Sequence, residues 1–591
     1  MPVPPALSDA PNINHLWAAL LVEELVRQGV RHFVIGPGSR STPLTVAVAN
    51  NPRAQAHVHI DERGGAFLAL GIGRATRTPA AWITTSGTAV ANGLPAAVEA
   101  DASGVPLLLL TADRPPELRD TGANQTIRQP PLFRSVARWT ADLSPPTTEI
   151  DPAYVLTTAA HAVARAWGPF AGPVHLNVPF REPLAPVQNE TGALPAHLKA
   201  WAADGRSYVD TVETETLPPP DMIAGAARAL EGCGRVLLVA GEGADPEAVY
   251  RAAGTQGWVL LADGLSCARW SPTARRGERG VSFYDLILAS GAWADAHVPD
   301  AVVHVGERPT SKRLQALLDR SPVTVRLAET PERRGPAHRP QIRIQGDTGL
   351  SLDALVAATA SRPDAGWTED WKAASHAVAK IVASTLEGEG LSEPRIAQLV
   401  AEATPEALVV AASMPVRDLD VFAQTDAFVF ANRGASGIDG TVSTAAGVAR
   451  GLGHRATLLI GDLALLHDLN GLALLREGPP VTVVAINNDG GGIFHFLPVA
   501  PGREGTALAA EVFEPYFGTP HGLTFRSAAE MMGLRYHTPT TVSGLREALA
   551  EADASGTSAL IEVRTDRETN AALHRDIARL AAEAVEAVTG L

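Results

Sequence analysis

Two acidic residues stand out for where they fall. Gly461-Asp462 follows the apolar run Thr457-Leu458-Leu459-Ile460, and Asn487-Asn488-Asp489-Gly490-Gly491 follows the run Val481 to Ile486. Short apolar runs bounded by turn residues predict buried parallel strands. Asp462 and Asp489 then emerge at the carboxyl ends of two strands, where open α/β sheets place their ligands. Two carboxylates and a loop carbonyl suit a hard ion such as Mg²⁺ that completes its shell with phosphate oxygens and water. The same residue types also make ordinary strand-end loops.

The N-terminal part offers further strand-to-helix loops. Asp61-Glu62-Arg63-Gly64-Gly65 follows a strand ending at Ile60 and opens a helix. An acid in a first turn complements the helix dipole, which accounts for one of the two carboxylates. Gly36-Pro37-Gly38-Ser39-Arg40-Ser41 is a second such loop. Its exposed helix amides attract anions, and the Arg40 guanidinium suits a carboxylate substrate. After the strand Val105 to Leu110, a polar stretch carries Arg114, Asn124, Gln125 and Arg128. It reads either as a solvated loop or as a site. Gly71-Ile72-Gly73 and Gly241-Glu242-Gly243 are incomplete as dinucleotide fingerprints. His467 and His495 are plausible polar neighbours of the acidic loops, but no histidine pair has zinc-ligand spacing. There is no Gly-x-Ser-x-Gly elbow.

These loops need a frame to hold them. A chain of 591 residues exceeds one hydrophobic core. With 46% hydrophobic and 19% charged residues it reads as globular. The net charge of -15 argues against a nucleic-acid partner. Two cysteines provide no disulfide framework and fit a reducing compartment. The start, Met1 to Pro5, has no export-signal pattern, and no apolar run is long enough to span a bilayer, so a cytoplasmic protein is expected.

Strands are predicted at His32 to Ile35, Val58 to Ile60, Ala81 to Thr84, Val105 to Leu110 and Val174 to Asn177, with helical stretches such as His15 to Gln28 and Gly65 to Arg74 between them. A Pro-rich stretch from Gln188 to Pro220 reads as a linker. A second set follows at Val236 to Ala240, Trp258 to Ala262, Ala301 to Val305 and Val323 to Leu327. The pattern breaks around Ser361 to Trp371. The rhythm returns at Ala407 to Ala411, Ala427 to Ala431, Thr457 to Ile460, Val481 to Ile486 and Ala559 to Val563. Alternating strands and helices of this kind predict α/β architecture with three doubly wound parallel-sheet domains, at 1–187, 188–365 and 366–591. No short-period repeat is visible.

The combination of motifs resembles the thiamine diphosphate enzymes, and within them the 2-succinyl-5-enolpyruvyl-6-hydroxy-3-cyclohexene-1-carboxylate (SEPHCHC) synthase family of menaquinone biosynthesis. The segments carrying the resemblance are Gly36 to Leu44, Asp61 to Gly65, Leu110 to Gln129, Asn432 to Gly440, Gly461 to Asn470 and Asn487 to Pro498. The resemblance implies a pyrimidine-binding first domain, a central domain and a diphosphate-binding last domain. Asp462, the Asp489 side chain and the Gly491 carbonyl would hold Mg²⁺ or Mn²⁺. Glu62 would be the glutamate directed at the cofactor's aminopyrimidine. Ser436, Gly437, Ile438, Gly461, Leu463, Gly490, Ile493 and Phe494 would complete the cofactor site, with Ile438 as a wedge beneath the cofactor and Phe494 as a wall. Leu463 stands where Gly usually ends the first metal triplet in the wider superfamily.

The implied reaction is that of a transferase. 2-Oxoglutarate is decarboxylated and the succinyl unit adds to isochorismate in a conjugate, Stetter-like step. Both substrates are dicarboxylates, so a local arginine cluster is required on a net-acidic protein. The implied substrate residues are Ser39, Arg40, Arg114, Asn124 and Gln125 from one subunit and Ser413, Arg417 and Arg433 from its partner, in a homodimer or homotetramer. Lys312 and Arg313 of the central domain would join them, although a solvated helix face also explains those two. A different thiamine-dependent 2-oxoacid decarboxylase or carboligase is the alternative, but an apolar substrate would not need four arginines. A catalytically silent cofactor-binding relative need not retain both Glu62 and the metal loop.

Overall fold

The computed structural model describes residues 7 and 10–591, except 169, 189–193, 213–215, 271–279, 331–334, 361, 362, 389, 503, 504, 506 and 507. The chain start read as lacking an export signal lies outside the described residues. Three separate sheets form, every strand pair in them parallel. The first contains β1 (His32–Ile35), β2 (Gln55–Val58), β3 (Ala80–Thr84), β4 (Leu107–Asp113), β5 (Trp139–Asp142) and β6 (Pro173–Pro179), in the order β2-β1-β3-β4-β6-β5. The second contains β7 (Val236–Ala240), β8 (Val259–Ala262), β9 (Ala301–Val305), β10 (Val323–Ala328) and β11 (Ile342–Gln345), in the order β11-β10-β9-β7-β8. The third contains β12 (Ala407–Val410), β13 (Phe428–Phe430), β14 (Ala456–Gly461), β15 (Val481–Asn487), β16 (Arg535–His537) and β17 (Ala559–Arg564), ordered β13-β12-β14-β15-β17-β16. The chain is thus a three-sheet α/β protein, with helices making most of the crossovers between its parallel strands.

Alternate side chains of a strand meet different helix layers. On β7, Val236, Leu238 and Ala240 join one buried cluster, and Leu237 and Val239 join another. The second sheet is therefore covered on both faces, which is why its strands read as continuous apolar runs.

The chain forms two compact units. One comprises residues 1–214, 432–454 and 467–479, and the other 215–431, 455–466 and 480–591. In the first unit the Glu62–Thr76 helix crosses the Thr441–Leu452 helix at very short range. A Cβ on Gly71 would sit 2.2 Å from the Thr444 carbonyl oxygen, and one on Gly447 would sit 2.3 Å from that of Leu68. Among the described residues no helix is long and apolar enough to cross a membrane.

Some local expectations require correction. β2 lies at Gln55–Val58, upstream of the predicted Val58 to Ile60, and both Val58 and Ile60 are exposed. The stretch read as a linker contains the Ala196–Asp204 helix, whose Leu198, Trp201 and Ala202 are buried in the core of the first sheet. Residues 189–193 and 213–215 of that stretch lie outside the described residues. The break expected around Ser361 to Trp371 instead holds the start of the Ala365–Thr385 helix, with Trp367 and Trp371 buried; residues 361 and 362 lie outside the described residues. At the switch point of the second sheet, between β7 and β9, Glu307 N–H donates to the Glu242 carbonyl at 2.8 Å. A Cβ on Gly241 would meet the Glu307 oxygen at 1.9 Å. Backbone therefore closes the crevice in which a dinucleotide would need room.

Candidate active site

In the first unit, Asp61 and Glu62 do different work. Asp61 is the N-cap of the Glu62–Thr76 helix, accepting from Arg63 N–H at 3.0 Å, and its other oxygen accepts from Asn470 Nδ2 at 3.1 Å. Glu62 is half-buried, and no described group hydrogen-bonds to its carboxylate. It reaches across to the β1 loop, where a Cβ on Gly36 would come within 3.2 Å of its Cγ. His59 lies just before the cap, 4% exposed, and its Nε2 has no partner. Burial lowers the His59 pKa, which favours the neutral ring.

The Gly36–Arg40 loop leaves β1, and the Arg114 loop leaves β4. Arg40 is 8% exposed, donating from Nη1 to the Phe180 carbonyl at 2.9 Å and from Nη2 toward Glu182 at 3.2 Å. Its buried Nε has no partner. Arg114 donates to Ser86 Oγ and, at 3.0 Å, to the Gln125 carbonyl. Burial, then the charge of Arg40, lower the Arg114 pKa. Arg40 is paired with the largely exposed Glu182, and Arg114 feels the charges of Arg40, Asp113 and Glu182; two guanidiniums that sense one another suit an anion. Gln125 is pinned beside them by its Nε2 bond to the Ser86 carbonyl at 2.8 Å, and Asn124 and Ser39 are exposed on the same side of the loops' own sheet end.

The Asn432–Gly440 segment also belongs to the first unit. Buried Glu99 holds it, accepting from Gly434 N–H at 3.0 Å and Ala435 N–H at 2.7 Å while paired to Arg74 at 3.1 Å. That clamp fixes Arg433, Ser436 and Gly437, and leaves Ile438 39% exposed. Gly440, at φ 63°, lies against Phe67, where a Cβ would be 1.9 Å from the ring. A cavity of about 400 Å³ lined by Phe67, Leu94, Pro95, Asn432 and Gly437 opens beside this loop.

The second unit holds the acidic pair. β14 and β15 are neighbours with Gly461 opposite Ile486, which brings the two loops together. Asp462, 2% exposed, accepts from Leu463 N–H at 2.7 Å, Gly490 N–H at 2.9 Å and His521 Nε2 at 3.1 Å. Burial raises its pKa. Asp489 accepts from Gly522 N–H at 2.7 Å and His521 N–H at 2.9 Å; the Gly522 bond leads in holding its carboxyl below the usual range. Gly490, at φ 135°, must be glycine, because a Cβ would meet the Gly518 oxygen at 1.9 Å. The Gly491 carbonyl accepts from Phe494 N–H at 3.1 Å and keeps a second lone pair. Ile493 and Phe494 follow in the Gly492–Phe496 turn, with Phe494 edge-on to Phe517. Among the described residues no three His, Cys, Asp or Glu side chains could hold an ion alone. A metal here would therefore use the two carboxylates, a carbonyl and oxygens of a bound molecule, a hard donor set that fits Mg²⁺ with a diphosphate.

Ser413 caps the Met414–Phe422 helix at φ 72°, and Arg417 folds back to donate to its carbonyl. Lys312 is exposed, while Arg313 is ion-paired with Asp285 on the surface. Among the described residues, nine non-glycines have positive φ, and Gln125, Ser413, Ser436 and Asp489 are four of them. Such strain gathers where surrounding structure fixes a functional geometry. Glu99 and His521 carry no signal in the sequence, because the groups they hold are distant along the chain.

Residues 17–132 match the thiamine pyrophosphate enzyme, N-terminal TPP binding domain, and residues 194–410 match the middle domain of thiamine pyrophosphate enzymes. The 2-succinyl-5-enolpyruvyl-6-hydroxy-3-cyclohexene-1-carboxylate synthase of Salinibacter ruber is 50% identical, covering 98% of each chain. The protein of the same name from Rubrobacter xylanophilus is 52% identical over 97% of this chain and 99% of its own. That from Myxococcus xanthus is 41% identical over 97% and 98%. With thiamine-enzyme sheets, the acidic pair at β14 and β15 and relatives of this identity along the full chain, the protein belongs to the 2-succinyl-5-enolpyruvyl-6-hydroxy-3-cyclohexene-1-carboxylate synthase family of thiamine diphosphate enzymes.

Proposed function

We propose that the protein catalyses the SEPHCHC synthase step of menaquinone biosynthesis: 2-oxoglutarate loses carbon dioxide and its succinyl unit forms a C–C bond to isochorismate by conjugate addition. When bound, thiamine diphosphate supplies the electron sink this chemistry needs. Asp462, Asp489 and the Gly491 carbonyl hold Mg²⁺ or Mn²⁺ against the diphosphate. Gly461, Leu463, Gly490, Ile493, Phe494, Ser436 and Gly437 shape the rest of the cofactor site, with Ile438 as its apolar wedge. Glu62 holds and returns a proton at the aminopyrimidine ring nitrogen. Ser39, Arg40, Arg114, Asn124 and Gln125 bind substrate carboxylates together with Ser413, Arg417 and Arg433 of a second copy, and Lys312 and Arg313 approach from the central domain. The working form is a cytoplasmic homodimer or homotetramer with its sites at the subunit interface.

The observation that carries the substrate class is Arg40 together with Arg114, whose charges are felt by one another and which offer a dicarboxylate more positive charge than an apolar 2-oxo acid could use. The test is a coupled assay with thiamine diphosphate, Mg²⁺, 2-oxoglutarate and isochorismate. Adduct formation requiring all four is the expected result. Carbon dioxide release indifferent to isochorismate, or seen only with pyruvate, would move the protein to another carboligase reaction.

A further inference from the structure

Behind the acidic loop lies a buried polar cluster with no part in the reading above. Glu393 opens the Glu393–Ala403 helix after the Ser392 cap, and an acid there would ordinarily face water. It is instead 1% exposed. Its Oε1 accepts from Asn488 Nδ2 at 2.8 Å and from Thr565 Oγ1 at 3.0 Å. Those two residues are the exits of β15 and β17, and Thr565 N–H also donates to the Asn487 carbonyl at 3.1 Å. One carboxylate oxygen thus ties the residue before Asp489 to the neighbouring strand and to a helix start.

Asp418 is the second member. It is fully buried on the Met414–Phe422 helix, the helix that Ser413 caps and that carries Arg417. His574 Nε2, from the Arg567–Thr589 helix, lies 3.1 Å from Asp418 Oδ1, off the line of a hydrogen bond. The His574 ring stands edge-on between Phe422, centroids 5.1 Å apart, and Phe496, 5.0 Å. Phe496 ends the Gly492–Phe496 turn that continues from Gly491. Burial, then the Asp418 charge, raise the Glu393 pKa, so the two carboxyls feel one another. Two buried carboxyls and an imidazole cost stability wherever they are not compensated. Packed tightly, the same groups specify a single arrangement.

We propose that Glu393, Asp418 and His574 are positioning residues: one buried anchor that holds the Asn488–Gly491 loop and the Ser413–Arg417 helix start in a fixed register. The groups offered to the metal and those offered to a substrate carboxylate are then aligned by the same contacts. Residues that orient metal ligands from behind commonly change metal affinity when removed, although they never touch the ion.

The inference rests on the metal site proposed above, and the experiment separates the two. Mn²⁺ dissociation constants are measured by electron paramagnetic resonance of the free ion, on full-length protein with saturating thiamine diphosphate. Wild type, Glu393→Ala, Glu393→Gln, Asn488→Ala, Asp418→Ala and the Glu393→Ala/Asn488→Ala double variant are compared, with folding checked by circular dichroism. Glu393→Ala and Asn488→Ala are each expected to weaken Mn²⁺ binding about 10- to 100-fold. The double variant should be no weaker than the worse single, because the two residues act through one bond. Glu393→Gln keeps an oxygen for Asn488 and should stay within about threefold of wild type. Asp418→Ala should weaken Mn²⁺ binding and raise KM for 2-oxoglutarate together. A folded Glu393→Ala or Asp418→Ala with wild-type Mn²⁺ affinity overturns the inference, as do additive losses in the double variant. If Glu393→Ala does not fold, Asn488→Ala on the half-buried loop decides by the same criterion. Failure of wild type itself to bind Mn²⁺ overturns the metal site, and the anchor with it.

Discussion

Asp61 and Glu62 are chemically alike and adjacent, yet the backbone gives them different roles. The Asp61 side chain is engaged in capping, with Arg63 N–H and Gly64 N–H as its donors. Glu62, one position on, leaves that hydrogen-bonding frame. Asp61→Ala is accordingly expected to lower unfolding free energy by about 1 kcal/mol, the usual worth of an N-cap. Glu62→Gln should leave denaturant stability and thiamine diphosphate binding near wild type and remove most turnover, because only the proton-carrying oxygen has changed. Denaturation curves and turnover measured on both variants check this; wild-type turnover in Glu62→Gln would remove it from the chemistry. The arginines and the acidic pair were legible because charge directly after an apolar run is a local pattern. Glu99 was not, since the amides it holds at Gly434 and Ala435 lie in the last third of the sequence. His521 was hidden for the same reason, 3.1 Å from Asp462 in space but in a loop with no pattern of its own.

Elements were legible in proportion to burial. β7, β9 and β15, with every residue buried, announce themselves as apolar runs. The edge strands β5, β11 and β16 are short and half-exposed, so Trp139–Asp142, Ile342–Gln345 and Arg535–His537 carry no such run and went unpredicted. Helix crossings are less visible still, because they depend on which small residues face each other. Gly71 and Gly447 allow the Glu62–Thr76 and Thr441–Leu452 helices to touch backbone to backbone. The first of these helices begins at Glu62, and the second follows directly on the Arg433–Ile438 loop. Gly447→Ala puts a methyl group 2.3 Å from the Leu68 oxygen, so the helices must separate. The expected cost is about 1–3 kcal/mol of stability. A larger KM for 2-oxoglutarate should accompany it, since the Arg433 loop moves with its helix. Thermal unfolding together with steady-state kinetics tests the pairing, and a loss of stability with unchanged KM would confine the effect to packing.

At the scale of the molecule, the first and third sheets have the same plan although no sequence repeat is visible. Numbering each from its first strand gives the order 2-1-3-4-6-5 in both. Strand order reverses between the first and third strands of each, which is where such sheets accept ligands. The proposed site residues follow corresponding strands. Arg40 follows β1 as Ser413 and Arg417 follow β12, and Glu62 follows β2 as Arg433 follows β13. Asp462 follows β14, the counterpart of β3, and Arg114 follows β4 as Asp489 follows β15. In the proposed reading, the first supplies the glutamate and two arginines, and the second supplies the acidic pair for the metal. Combining the two sets from two copies, as proposed, makes a specific prediction. Glu62→Gln and Asp489→Ala should each be nearly inactive alone. In a dimer containing one of each, one site combines the intact Glu62 of one copy with the intact Asp489 of the other, and the second site carries both defects. Co-expression with two different affinity tags should therefore restore about a quarter of wild-type activity in a random mixture of dimers. The doubly purified hetero-oligomer should reach about half. If each site were built within a single copy, every site in the mixture would carry one defect, and activity would remain at the level of the single variants.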